Sequence, residues 1–137
     1  MNVLFIDDFF EISDLDKSLM RIIFLRDSDL ILGIRNAYKS FPVEEFIDAG
    51  QRIEVLHKQI VLDLPKHLSV FYVPLPDLRN ALAPNLKAYL LWSSQAITLA
   101  PKFDQLISND PIERMAFEKL GYQCFSPKAF QKEFDTE

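Results

Sequence analysis

The chain has 137 residues, 49% hydrophobic and 26% charged, which is enough to bury a core and excludes a disordered or low-complexity protein. Its net charge of −5 excludes a broad phosphate-tracking surface, because non-specific nucleic-acid binding runs on lysine and arginine. A single cysteine, Cys124, excludes internal disulfides and thiolate-rich metal sites and fits a reducing cytoplasm.

The opening stretch, "MNVLFIDDFFEISDLDKSL", mixes large apolar residues with acids. It lacks the positive charge of a signal peptide, and no apolar run reaches the ~18 residues of a membrane span, so a soluble cytoplasmic protein is expected. Residues 1–19 read either as an edge segment, with "VLFI" a short strand, or as an arm that docks its apolar residues elsewhere. In "MRIIFLRDSDLILGIRN" two apolar, β-branched runs flank "RDSD", which predicts strands over 20–25 and 30–35 joined by a tight turn. "FPVEEFIDAGQRIEVLHKQI" follows, with Phe46, Ile47, Ile53, Leu56 and Ile60 near helical spacing. It predicts a helix begun at Pro42 and broken near Gly50.

"HLSVFYV" predicts a buried strand, beyond which Pro74 and Pro76 bar strand pairing. "DLRNALA" predicts a short helical segment, "LKAYLLWS" another buried strand and "AITLAP" a short extended piece. "LISNDPIERMAFEKLGYQ" holds the best-formed helix. Asp110 caps it, Pro111 suits its first position, and Glu113 stands three residues after the cap in a box-like arrangement. Ile112, Met115, Ala116 and Leu120 are expected on its apolar face, with Gly121 as the stop. "SPKAFQKEF" closes the chain with a short helix. The predicted fold class is α/β. It is a single domain over 20–137 with a central mixed β-sheet of about four to five strands and helices packed on it, preceded by the short N-terminal arm.

Residues suited to catalysis are sparse. His57 and His67 lack the spacing of convergent metal ligands, and the bland expectation is one exposed and one strand-edge histidine. Gly33, Gly50 and Gly121 are isolated, so no glycine-rich phosphate loop is legible. Asp7, Asp8 and Asp110 resemble the carboxylates that a PIN-type nuclease gathers around Mg²⁺ or Mn²⁺, although Asp110 already has work as a cap. "NDPIERMAFEKLGY" resembles the closing helix of GNAT acetyltransferases, whose pyrophosphate turn needs glycines this chain lacks. Cys124 reads as a small core residue. No catalytic residue, metal ligand or cofactor is expected.

Several pieces, taken in order, carry a wider resemblance. "LFIDDF" places Leu4, Ile6 and Phe9 at the spacing of a Leu-Gly-Ile-x-x-Trp docking motif. "MRIIFL" and "LILGIRN", then "AGQRIEVLHKQI", "LSVFYV", "PDLRNAL" and "AYLLW" with Trp92, follow in the order of strands, helix, strand, turn and Trp-bearing strand. "APKFDQLISNDPIERMAFEKL" matches a closing pattern through Pro101, Leu106, Asp110, Pro111, Arg114, Ala116 and Leu120. In these features the chain resembles the psi subunit of bacterial DNA polymerase III. Departures are Phe9 for the arm's Trp, Phe5 for its Gly, "EISDLDK" for its Arg-Pro, and Phe117-Glu118 for a Leu-Trp pair.

The resemblance implies a non-catalytic adaptor in DNA replication that bridges the clamp-loader ATPase subunits and the chi subunit. It would associate with DNA only indirectly, and take no membrane or small-molecule substrate. Leu4, Phe5, Ile6, Phe9 and Phe10 would then be the partner-binding anchors, since each large apolar side chain costs about 1.5–3 kcal/mol to leave in water. A small metal-dependent nuclease and an acidic immunity or antitoxin-type binder are the alternatives.

Overall fold

A computed structural model describes residues 2–7, 12–26, 28–35, 49–60, 68–75 and 86–134. Their elements are β1 (Asn2–Asp7), α1 (Asp14–Leu25), β2 (Asp29–Ile34), α2 (Ala49–Ile60), β3 (Val70–Pro74), α3 (Leu86–Leu99), β4 (Gln105–Ser108), α4 (Pro111–Lys119), β5 (Gln123–Phe125) and α5 (Pro127–Phe134). The five strands form one sheet in the order β3-β2-β1-β4-β5. Every pairing is parallel, so the expected α/β sheet is present but is parallel throughout rather than mixed. A helix stands between successive strands to carry the chain back, as parallel pairing requires.

β1 is the middle strand. Its side chains alternate between two cores, as a period of two requires. Val3 and Phe5 join Leu19, Ile23 and Leu56 on the face covered by α1, α2 and α5. Leu4 and Ile6 join Trp92, Leu106 and Phe117 on the face covered by α3 and α4. Leu4, Phe5 and Ile6 are at most 1% exposed. The proposed arm is therefore corrected: the segment 1–19 holds the central strand and the start of α1. Phe9 and Phe10 lie outside the described residues. β2 packs close to β1 at Gly33, where a Cβ would stand 3.0 Å from Ile6 Cγ1 and 3.1 Å from Leu75 Cδ1.

Two other expected strands are helices. Residues 20–25 are the second half of α1, which starts at a Ser13–Asp16 capping box with both reciprocal hydrogen bonds at 3.1 Å. Leu19, Ile22 and Ile23 then share its buried face. "LKAYLLWS" opens α3, with Trp92 and Ala96 one turn apart against the core. A short apolar run looks the same whether it is a buried strand or a buried helix. β3 appears where expected but retains Pro74 as its last residue, which an edge strand tolerates. α2 begins at Ala49 with Gly50 inside its first turn, while 42–48 and "DLRNALA" fall outside the described residues. No helix among the described residues is long and apolar enough to cross a membrane.

α4 begins and ends as its sequence predicts. Asp110 caps it, accepting from the Ile112 N–H at 3.0 Å and the Glu113 N–H at 3.3 Å. At its end Gly121, with φ +97°, donates to Glu118 O, while the Tyr122 N–H donates to Phe117 O. These bonds form a Schellman motif, and the Tyr122 ring packs on Phe117 with centroids 6.1 Å apart. The ending resembling acetyltransferases is this local stop. The buried face differs from the expected one. Glu113, Ala116 and Phe117 point inward, whereas Met115 is 50% and Leu120 40% exposed.

Two substitutions test this packing. Phe117→Ala removes a fully buried ring and is expected to lower unfolding free energy by about 3–5 kcal/mol, read from urea denaturation. Gly121→Ala meets no atoms within 4 Å, so only the left-handed backbone penalty of about 1 kcal/mol should appear.

Candidate functional site

Parallel pairing gathers the C-terminal ends of all five strands on one edge. From β1 the chain steps outward through β2 and β3, then returns to the other side of β1 as β4 and β5. The direction of winding reverses between β1 and β4. In doubly wound sheets the crevice outside the strand ends at such a reversal is where ligands bind.

The chain fills this position with a buried polar cluster. Arg35 directly follows β2, and its N–H bonds to the Asp7 carbonyl at the end of β1 at 2.9 Å. Its Nη2 donates to Glu113 Oε1 at 3.0 Å and Asn109 Oδ1 at 3.2 Å. The Ser108 hydroxyl, ending β4, donates to the same Glu113 Oε1 at 2.6 Å and accepts from the Asp110 N–H at 3.1 Å. The side chains of Arg35 and Glu113 are 7% and 0% exposed. Around them, Tyr89 from α3 donates to Asp110 Oδ2 at 2.8 Å, and Arg114 Nη1 donates to the Ser108 carbonyl at 2.7 Å. Glu113 therefore does not close the expected capping box. Its carboxylate turns inward to the guanidinium.

This arrangement suits recognition of an anion. A desolvated guanidinium offers a planar fork of donors matched to carboxylate or phosphate, and the Ser108 hydroxyl converges on the same oxygen. The N-terminus of α1 has the opposite character, since Asp14 and Asp16 occupy its first turn and the capping box takes the Ser13 and Asp16 N–H groups.

Other residues considered for chemistry are dispersed. Asp7 ends β1 and Asp110 caps α4 just beyond the end of the neighbouring β4, so both lie at the same edge, and Asp8 is outside the described residues. Among the described residues no group of three or more His, Cys, Asp or Glu is arranged to hold a metal ion. His57 is exposed, with Nδ1 2.7 Å from the Tyr72 hydroxyl, and His67 is outside the described residues. Burial pushes the Tyr72 phenol up to about 12. Cys124 is half-buried on β5 rather than fully in the core. Sequence reasoning passed over Arg35, which sits in no motif, and gave Glu113 only a capping role. The only signal was a charged residue just after an apolar strand and another in the first turn of a capped helix.

The fold and the reversal at this edge define a doubly wound, parallel α/β domain. No family model matches the chain. Curated relatives that it resembles are nicotinamide-nucleotide adenylyltransferases. That of Methanolobus tindarius is 31% identical over 110 residues, covering 79% of this chain and 57% of the relative. Those of Saccharolobus solfataricus and Methanosphaerula palustris are 27% and 26% identical, covering 79% and 85% of this chain and 58% and 63% of theirs. The chain thus spans less than two thirds of these relatives. A bifunctional NMN adenylyltransferase/ADP ribose pyrophosphatase from Francisella tularensis superposes with a TM-score of 0.63 at 14% identity, over 91% of this chain and 37% of that one. This likeness supports the fold.

These relatives overturn the resemblance to the psi subunit. With it go the replication adaptor and its expected partners, the clamp-loader ATPase subunits and chi. The nuclease and the immunity or antitoxin alternatives find no support either. The anchors Leu4, Phe5 and Ile6 explain the error physically: they face their own two cores. "AYLLW", quoted as a Trp-bearing strand, is helix.

The thiol of Cys124 is pushed up to about 12, first by burial and then by the nearby Glu118 carboxylate. The stabilisation from keeping it neutral is complete below its ordinary 9.0 and is lost as pH rises from there towards 12. At pH 8 its alkylation by iodoacetamide, followed by mass spectrometry, should be at least about tenfold slower in the folded protein than in urea.

Proposed function

We propose that this chain is a domain of the nicotinamide-nucleotide adenylyltransferase type, binding nicotinamide mononucleotide (NMN) at the C-terminal edge between β1 and β4. In the transfer, an oxygen of the NMN phosphate bonds to the α-phosphorus of ATP. The bond from that phosphorus to the bridging oxygen breaks, and pyrophosphate leaves, giving the dinucleotide NAD. The observation that carries this reading is the 31% identity to the Methanolobus tindarius adenylyltransferase, spread over 79% of the chain. The strand reversal supports it, and Arg35, Ser108 and Arg114 are among the described donors at that edge.

One observation favours a second reading, nucleotide binding without transfer. In doubly wound folds the first helix after β1 receives phosphate at its N-terminus. Here Asp14 and Asp16 stand there, and Asp16 is held in the capping box. Phosphoryl transfer is catalysed chiefly by positioning and by positive charge around the phosphates, which two carboxylates oppose.

Calorimetric titration with NMN and NAD, beside an NAD-forming assay with NMN and magnesium ATP, separates the two. NMN binding with Kd below about 100 μM is expected on both readings. NAD formation that requires both substrates supports transfer, and binding with no NAD formed supports the second. Failure of both nucleotides to bind overturns the two together.

A further inference from the structure

We propose that Arg35 is an anion anchor held shut by Glu113, and that the phosphate monoester of the nucleotide binds by displacing the Glu113 carboxylate from it. This rests on the nucleotide reading above and adds the residue that would receive the phosphate. Arg35 follows β2 and Glu113 lies in the first turn of α4 after β4, while β1 runs between β2 and β4. The ion pair therefore crosses the C-terminal end of β1, where the winding reverses.

Stability alone does not account for the pair. Both side chains are buried, and apolar residues of similar volume replace buried ion pairs at little or no cost. Geometry points to exchange instead. Glu113 Oε1 takes two donors at once, Arg35 Nη2 at 3.0 Å and the Ser108 hydroxyl at 2.6 Å. That oxygen marks an oxyanion position already equipped with a cation and a hydroxyl. When Glu113 turns away, both donors can serve a phosphate oxygen placed there. A phosphate monoester near neutral pH carries more negative charge than the carboxylate it replaces, which favours the exchange. Asn109 Oδ1, 3.2 Å from Nη2, keeps the guanidinium oriented while the acid moves.

The test uses the full chain and calorimetric titration with NMN, nicotinamide riboside (the same ligand without phosphate) and inorganic phosphate. Glu113→Gln keeps shape and removes the competing charge. It should bind NMN and inorganic phosphate at least about tenfold tighter than wild type, with riboside affinity unchanged. A double variant, Arg35→Met with Glu113→Leu, replaces the ion pair by apolar groups, and a thermal melt checks that it folds. It should bind NMN no better than riboside. Equal NMN affinity in wild type and Glu113→Gln overturns the anchor while leaving the nucleotide reading intact. Tighter inorganic phosphate in Glu113→Gln with no NMN binding by any variant sustains the anchor and sinks the nucleotide reading. Should Glu113→Gln not fold, unchanged NMN affinity between wild type and the double variant overturns the anchor.

Discussion

The requirement that β1 be apolar on both faces governs the rest of the molecule. A strand in the middle of a parallel sheet meets helices above and below it, so neither set of side chains can face water. Val3, Leu4, Phe5 and Ile6 satisfy this, each at most 1% exposed. At about 1.5–3 kcal/mol per large side chain, they contribute to both layers at once, two residues to each face. The ends of β1 set its register with its neighbours. The Asn2 N–H bonds to Asp104 Oδ2 and the Asp104 N–H to the Asn2 carbonyl, both at 2.9 Å, before β4 begins. At the other end the Arg35 N–H bonds to the Asp7 carbonyl after β2 ends.

The polar cluster over the end of β1 follows from this arrangement. Parallel crossovers bring Arg35, Ser108, Asn109 and Glu113 to one edge, although Arg35 and Glu113 are 78 positions apart in the chain. A lone buried charge there would be costly, and the guanidinium bonds through Nη2 to the carboxylate and the amide, while the hydroxyl bonds to the same carboxylate. The same edge is the one to which the proposed nucleotide binding is assigned. The chain thus presents a buried guanidinium–carboxylate pair at the strand reversal and an acidic first turn in α1. The two features act oppositely on a phosphate, the guanidinium attracting it and the α1 carboxylates repelling it.

Local resemblance misled for a definable reason. An arm that lends apolar residues to a partner and a strand buried in its own sheet have the same composition. What differs is the neighbour, and "LFIDDF" does not encode its neighbours. Leu4 pairs with Ile31 on one side and with Leu106 on the other, both remote in sequence. Likewise "LKAYLLWS" is apolar all along, so its period could not separate strand from helix. The short strands β4 and β5 carried too few residues to register as strands at all.

Where structure is made by neighbours in sequence, the sequence by itself determined the outcome. The Asp110 cap, the Gly121 stop and the closing helix of "PKAFQKEF" depend on bonds within a few residues. The strand at "VFYV" was legible from its apolar, β-branched run, although its bonds go to β2, and with these elements the α/β class was legible too. Only the tertiary structure decided that β1 lies in the middle, that the sheet is parallel throughout, and that Glu113 meets Arg35 rather than its own cap. Those outcomes depend on which distant segments exclude water from one another, and no local window of the chain contains that information.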